Sequence, residues 1–126
     1  MKLAVIGAAG VRTPLLVRGL AEAAATLPLE EIALYDPDAE RLALVARVAR
    51  AMAADRGLGA RLRPMDGAEA AMDGAAYIIT SIRAGGIAAR AQDERIALAH
   101  GLVGQETVGA GGCAGALRNL RAMLGY

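Results

Sequence analysis

Phenylalanine and tryptophan are absent from this chain, and its 126 residues include three tyrosines, one cysteine and one histidine. Without aromatic faces on which bases could stack, a platform for single-stranded nucleic acid is excluded. A single cysteine, Cys113, excludes an internal disulfide and fits a reducing compartment. With only Cys113 and His100 to draw on, a self-contained Cys/His metal site is not expected. Arginine outnumbers lysine thirteen to one, yet the net charge is only +1 and no long basic run occurs. Neither nucleic acid nor an anionic membrane is therefore an expected partner. No apolar stretch approaches the ~20 residues needed to cross a bilayer. Lys2 is followed by four apolar residues and then a glycine turn, which is not a signal peptide. A cytoplasmic location is the expectation.

What is present is small and apolar. Hydrophobic residues make up 56% of the chain, so the core has to be built from Ala, Leu, Val and Ile. That supply suits helices packed closely on a parallel sheet, and the length suits one domain. The run Lys2–Ile6 is uniformly apolar after its lysine, as buried parallel strands are, and it breaks into Gly7-Ala8-Ala9-Gly10. A helix is expected from Thr13 as N-cap, with Pro14 in the first turn, to about Ala25, with Leu16, Val17, Leu20 and Ala24 on one face. A second strand, about Glu31 to Tyr35, ends on Asp36. In the next helix Leu42, Val45, Ala46, Ala49, Met52 and Ala53 recur at helical spacing, Arg41, Arg47 and Arg50 are left for solvent, and Gly57 to Gly59 stops it.

Arg61 to Arg63 reads as a short third strand, with Pro64 marking a strand end or sheet edge. A small helix at Glu69 to Met72 precedes a fourth strand at Ala76 to Ile82. Arg83-Ala84-Gly85-Gly86 follows as a loop, then a helix from about Ala88 to Ala99. The glycine-rich segment Gly104 to Gly112 comes next, and a last helix carries Ala114, Leu117, Leu120 and Leu124 on one face. Strands alternating with helices at this spacing give an α/β fold, a Rossmann-like doubly wound parallel sheet with strand order 3-2-1-4, truncated after about four strands. The whole chain, 1–126, is expected to be one incomplete nucleotide-binding domain.

The opening carries chemistry of its own. A buried strand, a glycine-bearing turn, a helix start and a second strand closed by an acid form the front half of a dinucleotide-binding unit. Glycine lets the backbone approach a pyrophosphate, the helix N-terminus offers free N–H groups, and the acid accepts from a ribose diol. The GxGxxG slots hold Gly7, Ala9 and Arg12, so only the first glycine is in place, and Asp36 lies 26 residues beyond Gly10. Asp36 could also cap the next helix, since Pro37 follows it.

Several segments together resemble the N-terminal region of family 4 glycoside hydrolases, the 6-phospho-β-glucosidase and α-glucosidase group. They are Ile6-Gly7 through Arg12-Thr13-Pro14, Leu34-Tyr35-Asp36, Ile82 to Gly86, and above all the run from Ala89 to Gly112, ARxxDERIxLxxGxxGQETxGxGG. The resemblance implies a glycosidase outside the usual two-carboxylate scheme. It uses NAD and a divalent metal, commonly Mn2+, to oxidise the sugar at C3, eliminate the aglycone after a tyrosine base takes the C2 proton, and return the hydride. By that resemblance Gly7, Gly10, Val11, Arg12, Thr13, Asp36 and Ser81 bind NAD. Arg90 binds the glycoside or 6-phospho-glycoside substrate. Glu106 supports the basicity of a tyrosine outside this chain, and Tyr126 is not that base.

Ala8 and Ala9 stand where many members carry glycine, and Ala110 replaces a common proline. The metal ligands and the base are expected beyond the last residue here, so the isolated chain is expected to lack activity; an uncovered fourth-strand edge and the apolar face of the last helix are expected to make it a homo-oligomer. Two other readings stay open at this point: a fragment of a lactate/malate-type NAD dehydrogenase, and a stand-alone nucleotide-binding or dimerisation module.

Overall fold

Four consecutive apolar residues, Leu3 to Ile6, are buried because their strand, β1 (Lys2–Ile6), lies inside the sheet. In the computed structural model, which describes residues 1–126, β1 pairs in parallel with β2 (Glu31–Tyr35) on one side and β4 (Tyr77–Thr80) on the other. The fourth member, β3 (Arg61–Pro64), pairs with β2, so the order is β3-β2-β1-β4, as the alternation of strands and helices predicted. The crossovers are α1 (Thr13–Glu22), α2 (Ala39–Asp55) and α3 (Ala68–Met72). Two further helices follow, α4 (Gly86–Ala99) and α5 (Gly109–Met123). The chain divides into two compact units, Met1–Ser81 with the sheet and Ile82–Tyr126 with α4 and α5.

Within the first unit, one core cluster joins Val5, Ile32, Leu34 and Leu62 of the sheet to Val17 of α1 and to Leu42, Ala46, Ala49 and Ala53 of α2. Alanine at three of those α2 positions lets the helix backbone lie close to its neighbours, and close packing without voids is what a core lacking aromatics requires. Strand alternation turns Ala4, Ile6 and Ala33 to the other face, where α3 packs on β1 and β2. Lys2 Nζ donates to the Asp73 and Ala70 carbonyls at 2.7 and 3.2 Å, satisfying the C-terminal end of α3.

The structure corrects several sequence expectations. Thr13 is the first helical residue and not the N-cap, which is Arg12 with no side-chain hydrogen bond. The Thr13 hydroxyl instead donates to the Ala8 carbonyl at 2.7 Å inside the turn. Helix α1 ends at Glu22, three residues early, and Ala24 is exposed. Asp38, not Asp36, caps α2, accepting from the Arg41 N–H at 3.0 Å. Arg50 is not left to solvent alone: its Nε and Nη2 both donate to the Leu62 carbonyl at 3.2 Å. The glycines from Gly109 to Gly112 are the first turn of α5 and not a loop. Leu117, Leu120 and Leu124, expected as an apolar stripe on one face of that helix, are exposed as such a stripe would be. No helix is long and apolar enough to cross a membrane.

Candidate functional site

In parallel strands the side chains and chain ends advance together, so residues just past three paired strands fall at one level. Ile6 of β1 is in register with Tyr35 of β2 and with Thr80 of β4. Gly7, Asp36 and Ser81, all named from the sequence, are each the next residue along. They therefore occupy the carboxyl end of the sheet on adjacent strands, the end at which open α/β sheets bind ligands.

The turn there is built tightly. Gly7 has φ of 86°, a left-handed conformation that glycine adopts without strain. The Gly7 and Ala8 N–H groups both donate to the Tyr35 carbonyl, at 2.9 and 3.0 Å. Ala8 and Ala9 are buried, so their methyl groups point into the core and leave the turn's outer side unobstructed. Asp36 closes it: one carboxylate oxygen accepts from Ala9 N–H and the other from Asp38 N–H, each at 3.0 Å. Gly10, Val11 and Arg12 have no backbone partner for their N–H groups, and Val11 and Arg12 are exposed. With Pro14 following, these are the open donors at the positive end of α1. A Cβ on Gly10 would make only an ordinary contact, 3.8 Å from the Gly7 carbonyl, so local packing does not demand glycine there.

The second unit holds a cluster of charge around a cavity of about 280 Å³ lined by Arg83, Arg90, Asp93, Glu106, Thr107, Arg118 and Asn119 among others. Glu106 bridges two arginines: Arg83 Nη2 lies 2.7 Å from one oxygen and Arg90 Nη1 lies 3.0 Å from the other. Arg90 Nε also donates to Glu94 Oε1 at 2.8 Å, one helical turn along α4. The hydrogen bond to Glu94 and then the charge of Glu106 raise the Arg90 pKa further above its already high value. Asp93 is buried and paired with Arg118, whose hydrogen bond holds the carboxyl below the usual aspartate range. The same bond raises Arg118.

Glycine makes this cluster possible. A Cβ on Gly111 would fall 2.5 Å from the Gln105 carbonyl oxygen, and one on Gly112 would fall 2.6 Å from the Thr107 carbonyl carbon. The segment carrying Glu106 therefore lies directly against the backbone of α5's first turn, where any side chain would push it away.

Sequence reasoning named Arg90 and Glu106, and the structure joins them. It passed over Arg83 as a loop residue and did not single out Asp93, Arg118 or Asn119. Nothing in the sequence marks the Asp93–Arg118 pair, because its two residues stand 25 apart and burial is seen only in the fold. His100 and Cys113 are exposed, and no group of three or more His, Cys, Asp or Glu side chains comes together to hold a metal.

Comparison with known proteins identifies relatives of this chain. The chain is 38% identical over 118 residues to the 6-phospho-beta-glucosidase BglT of Thermotoga maritima, covering 94% of this chain and 28% of that protein. It is 35% identical over 123 residues to the 6-phospho-beta-glucosidase of Escherichia coli, covering 95% of this chain and 27% of that protein. The chain thus spans just over a quarter of these relatives. A solved structure of the Thermotoga maritima enzyme with manganese, NAD+ and glucose-6-phosphate superposes with a TM-score of 0.92 at 36% identity, over all of this chain and 30% of that one. A 6-phospho-alpha-glucosidase from gut microorganisms, in complex with NAD and glucose-6-phosphate, gives 0.91 at 33% identity over 99% of this chain and 28% of that one. The Family 4 glycosyl hydrolase pattern matches residues 2–125, and the chain belongs to that family.

Proposed function

We propose that the chain is the NAD-binding front of a 6-phospho-glycosidase. The observation that carries this reading is the alignment of Gly7, Asp36 and Ser81 one residue past three register-matched strand ends, beside the open N-terminus of α1. The residues fit the cofactor. The N–H groups of Gly10, Val11 and Arg12 are free to take a pyrophosphate. Each Asp36 oxygen accepts one backbone N–H and keeps a lone pair for a ribose hydroxyl. When bound, NAD supplies the hydride acceptor for oxidation of a sugar hydroxyl.

Substrate recognition falls to Arg90. Its planar guanidinium is already oriented by Glu94 and Glu106 and suits a phosphate or sugar oxygen. The relatives' 6-phospho-glucosidase names and the glucose-6-phosphate in two of the matched structures support a phosphorylated sugar. Glu106 sets the arginine in place and is the carboxylate we assign to the neighbourhood of the catalytic base. The donor groups of residues 1–126 do not fit a divalent metal, so no role here runs through one.

Amide resonances of the chain, titrated with NAD and separately with glucose 6-phosphate, test both halves of the reading. NAD is expected to move Gly10, Val11, Arg12, Asp36 and Ser81, and glucose 6-phosphate to move Arg90 and Glu106. Replacement Arg90→Gln is expected to weaken glucose 6-phosphate about 10–100-fold, the value of a hydrogen bond to a charged group. NAD that leaves the glycine turn unmoved would overturn the cofactor assignment.

A further inference from the structure

Both backbone groups of one loop residue, Ala84, are taken by consecutive residues of a helix far away in sequence. Its N–H donates to Asn119 Oδ1 at 2.8 Å, and its carbonyl accepts from Arg118 Nε at 2.9 Å. Arg118 is itself anchored, because its two terminal nitrogens pair with the two oxygens of buried Asp93. A guanidinium can do this because its donors form a rigid fork with the Nε–H on one edge. The chain is shaped to receive it. Gly85 has φ of +78°, and a Cβ there would fall 2.6 Å from the Ala89 Cβ and 3.4 Å from Arg118 Nε. Only glycine lets the loop turn into α4 beneath that arginine.

The residue before Ala84 is Arg83, whose guanidinium meets Glu106 at 2.7 Å. An arginine on an irregular loop loses much side-chain and backbone freedom on being held in one place. We propose that Arg118 and Asn119 are positioning residues: by clamping Ala84 they hold Arg83 on Glu106, so that Arg83 and Arg90 form a preorganised pair for an anionic substrate group. The clamp removes the ordering cost before the ligand arrives. The ligand half of this inference rests on the substrate reading above, whereas the ordering of Arg83 does not.

Two measurements on the 126-residue chain separate them. The first needs no ligand: the Ala84 amide is expected to be protected from hydrogen exchange, and Asn119→Ala to speed its exchange about 2–10-fold, the effect of losing one hydrogen bond. The Nε–H order of Arg83 is expected to fall in the same variant. The second is a double-mutant cycle on glucose 6-phosphate affinity. Asn119→Ala is expected to weaken binding about 2–10-fold in the native background and to have no further effect once Arg83→Gln is present. A purely structural role would make the two losses add, which would overturn the proposal. So would rapid exchange at Ala84, or an Arg83 side chain equally ordered in Asn119→Ala. If the native chain does not bind glucose 6-phosphate, the substrate reading fails, and the order of Arg83 still decides whether the clamp positions it. Should Asn119→Ala fail to fold, Arg118→Lys takes its place, keeping the charge and losing the Nε–H bond to Ala84.

Discussion

Asp36 has a scaffolding role beside the ligand role proposed for it. It ties the turn after β1 to the end of β2 through Ala9 N–H and steadies the entry to α2 through Asp38 N–H. Asp36→Ala is therefore expected to loosen the turn as well as to weaken NAD, with faster amide exchange at Ala9 and Asp38 as the separate mark of the structural part. Asp38→Ala removes only the α2 cap and is expected to cost about 1 kcal/mol in denaturant unfolding, with NAD affinity unchanged. Asp93 gives a pH dependence of known sign. Its folded pKa lies below the ordinary 3.8 because of Arg118, so its contribution is complete above that value and is lost as pH falls through the lowered one. Unfolding followed from pH 7 to pH 3 is expected to show that loss in the native chain and not in Asp93→Asn, whose stability at pH 7 is lower. Equal acid sensitivity in the two would assign the effect elsewhere.

At the level of elements, the regular parts were readable from sequence because their causes are local. The unbroken apolar runs of β1 and β2, buried on both faces, and the spacing of Leu42, Ala46, Ala49 and Ala53 on one face of α2 are each properties of a single element. The first turn of α5 was misread because glycine signals a loop when only neighbours in sequence are considered. Its glycines answer to the segment Gln105–Thr107 lying on their backbone. Gly111→Ala is expected to cost about 1–3 kcal/mol through that overpacking and to disturb Glu106, which thermal unfolding and the Glu106 amide shift would show. Gly19→Ala, in α1 where a Cβ meets nothing within 4 Å, is the control and is expected to stabilise slightly. Arg118 and Asn119 were illegible for a different reason. Their partners are backbone groups of Ala84, 34 and 35 residues away, and no periodicity records such a bond.

For the whole molecule, the sheet ends on β4, where Tyr77 and Ile78 are exposed on an edge, and α5 exposes Leu117, Leu120 and Leu124. Unpaired edges and apolar faces of this kind are ordinarily covered. Residues 1–126 are accordingly expected to self-associate at micromolar concentration in light scattering, and a monomer with β4 amides protected from exchange would contradict this. The strand order, the glycine turn and the family membership support the proposed cofactor-binding front, whose cofactor is the point to test. Calorimetric titration of the chain with NAD and with NADP tests it most directly. Asp36 would repel a 2′-phosphate, and no arginine follows it before Arg41. The result expected is binding of NAD, weaker binding of NADP, and loss of NAD affinity in Asp36→Ala; NADP binding as tightly as NAD, or an Asp36→Ala variant with native NAD affinity, would contradict it.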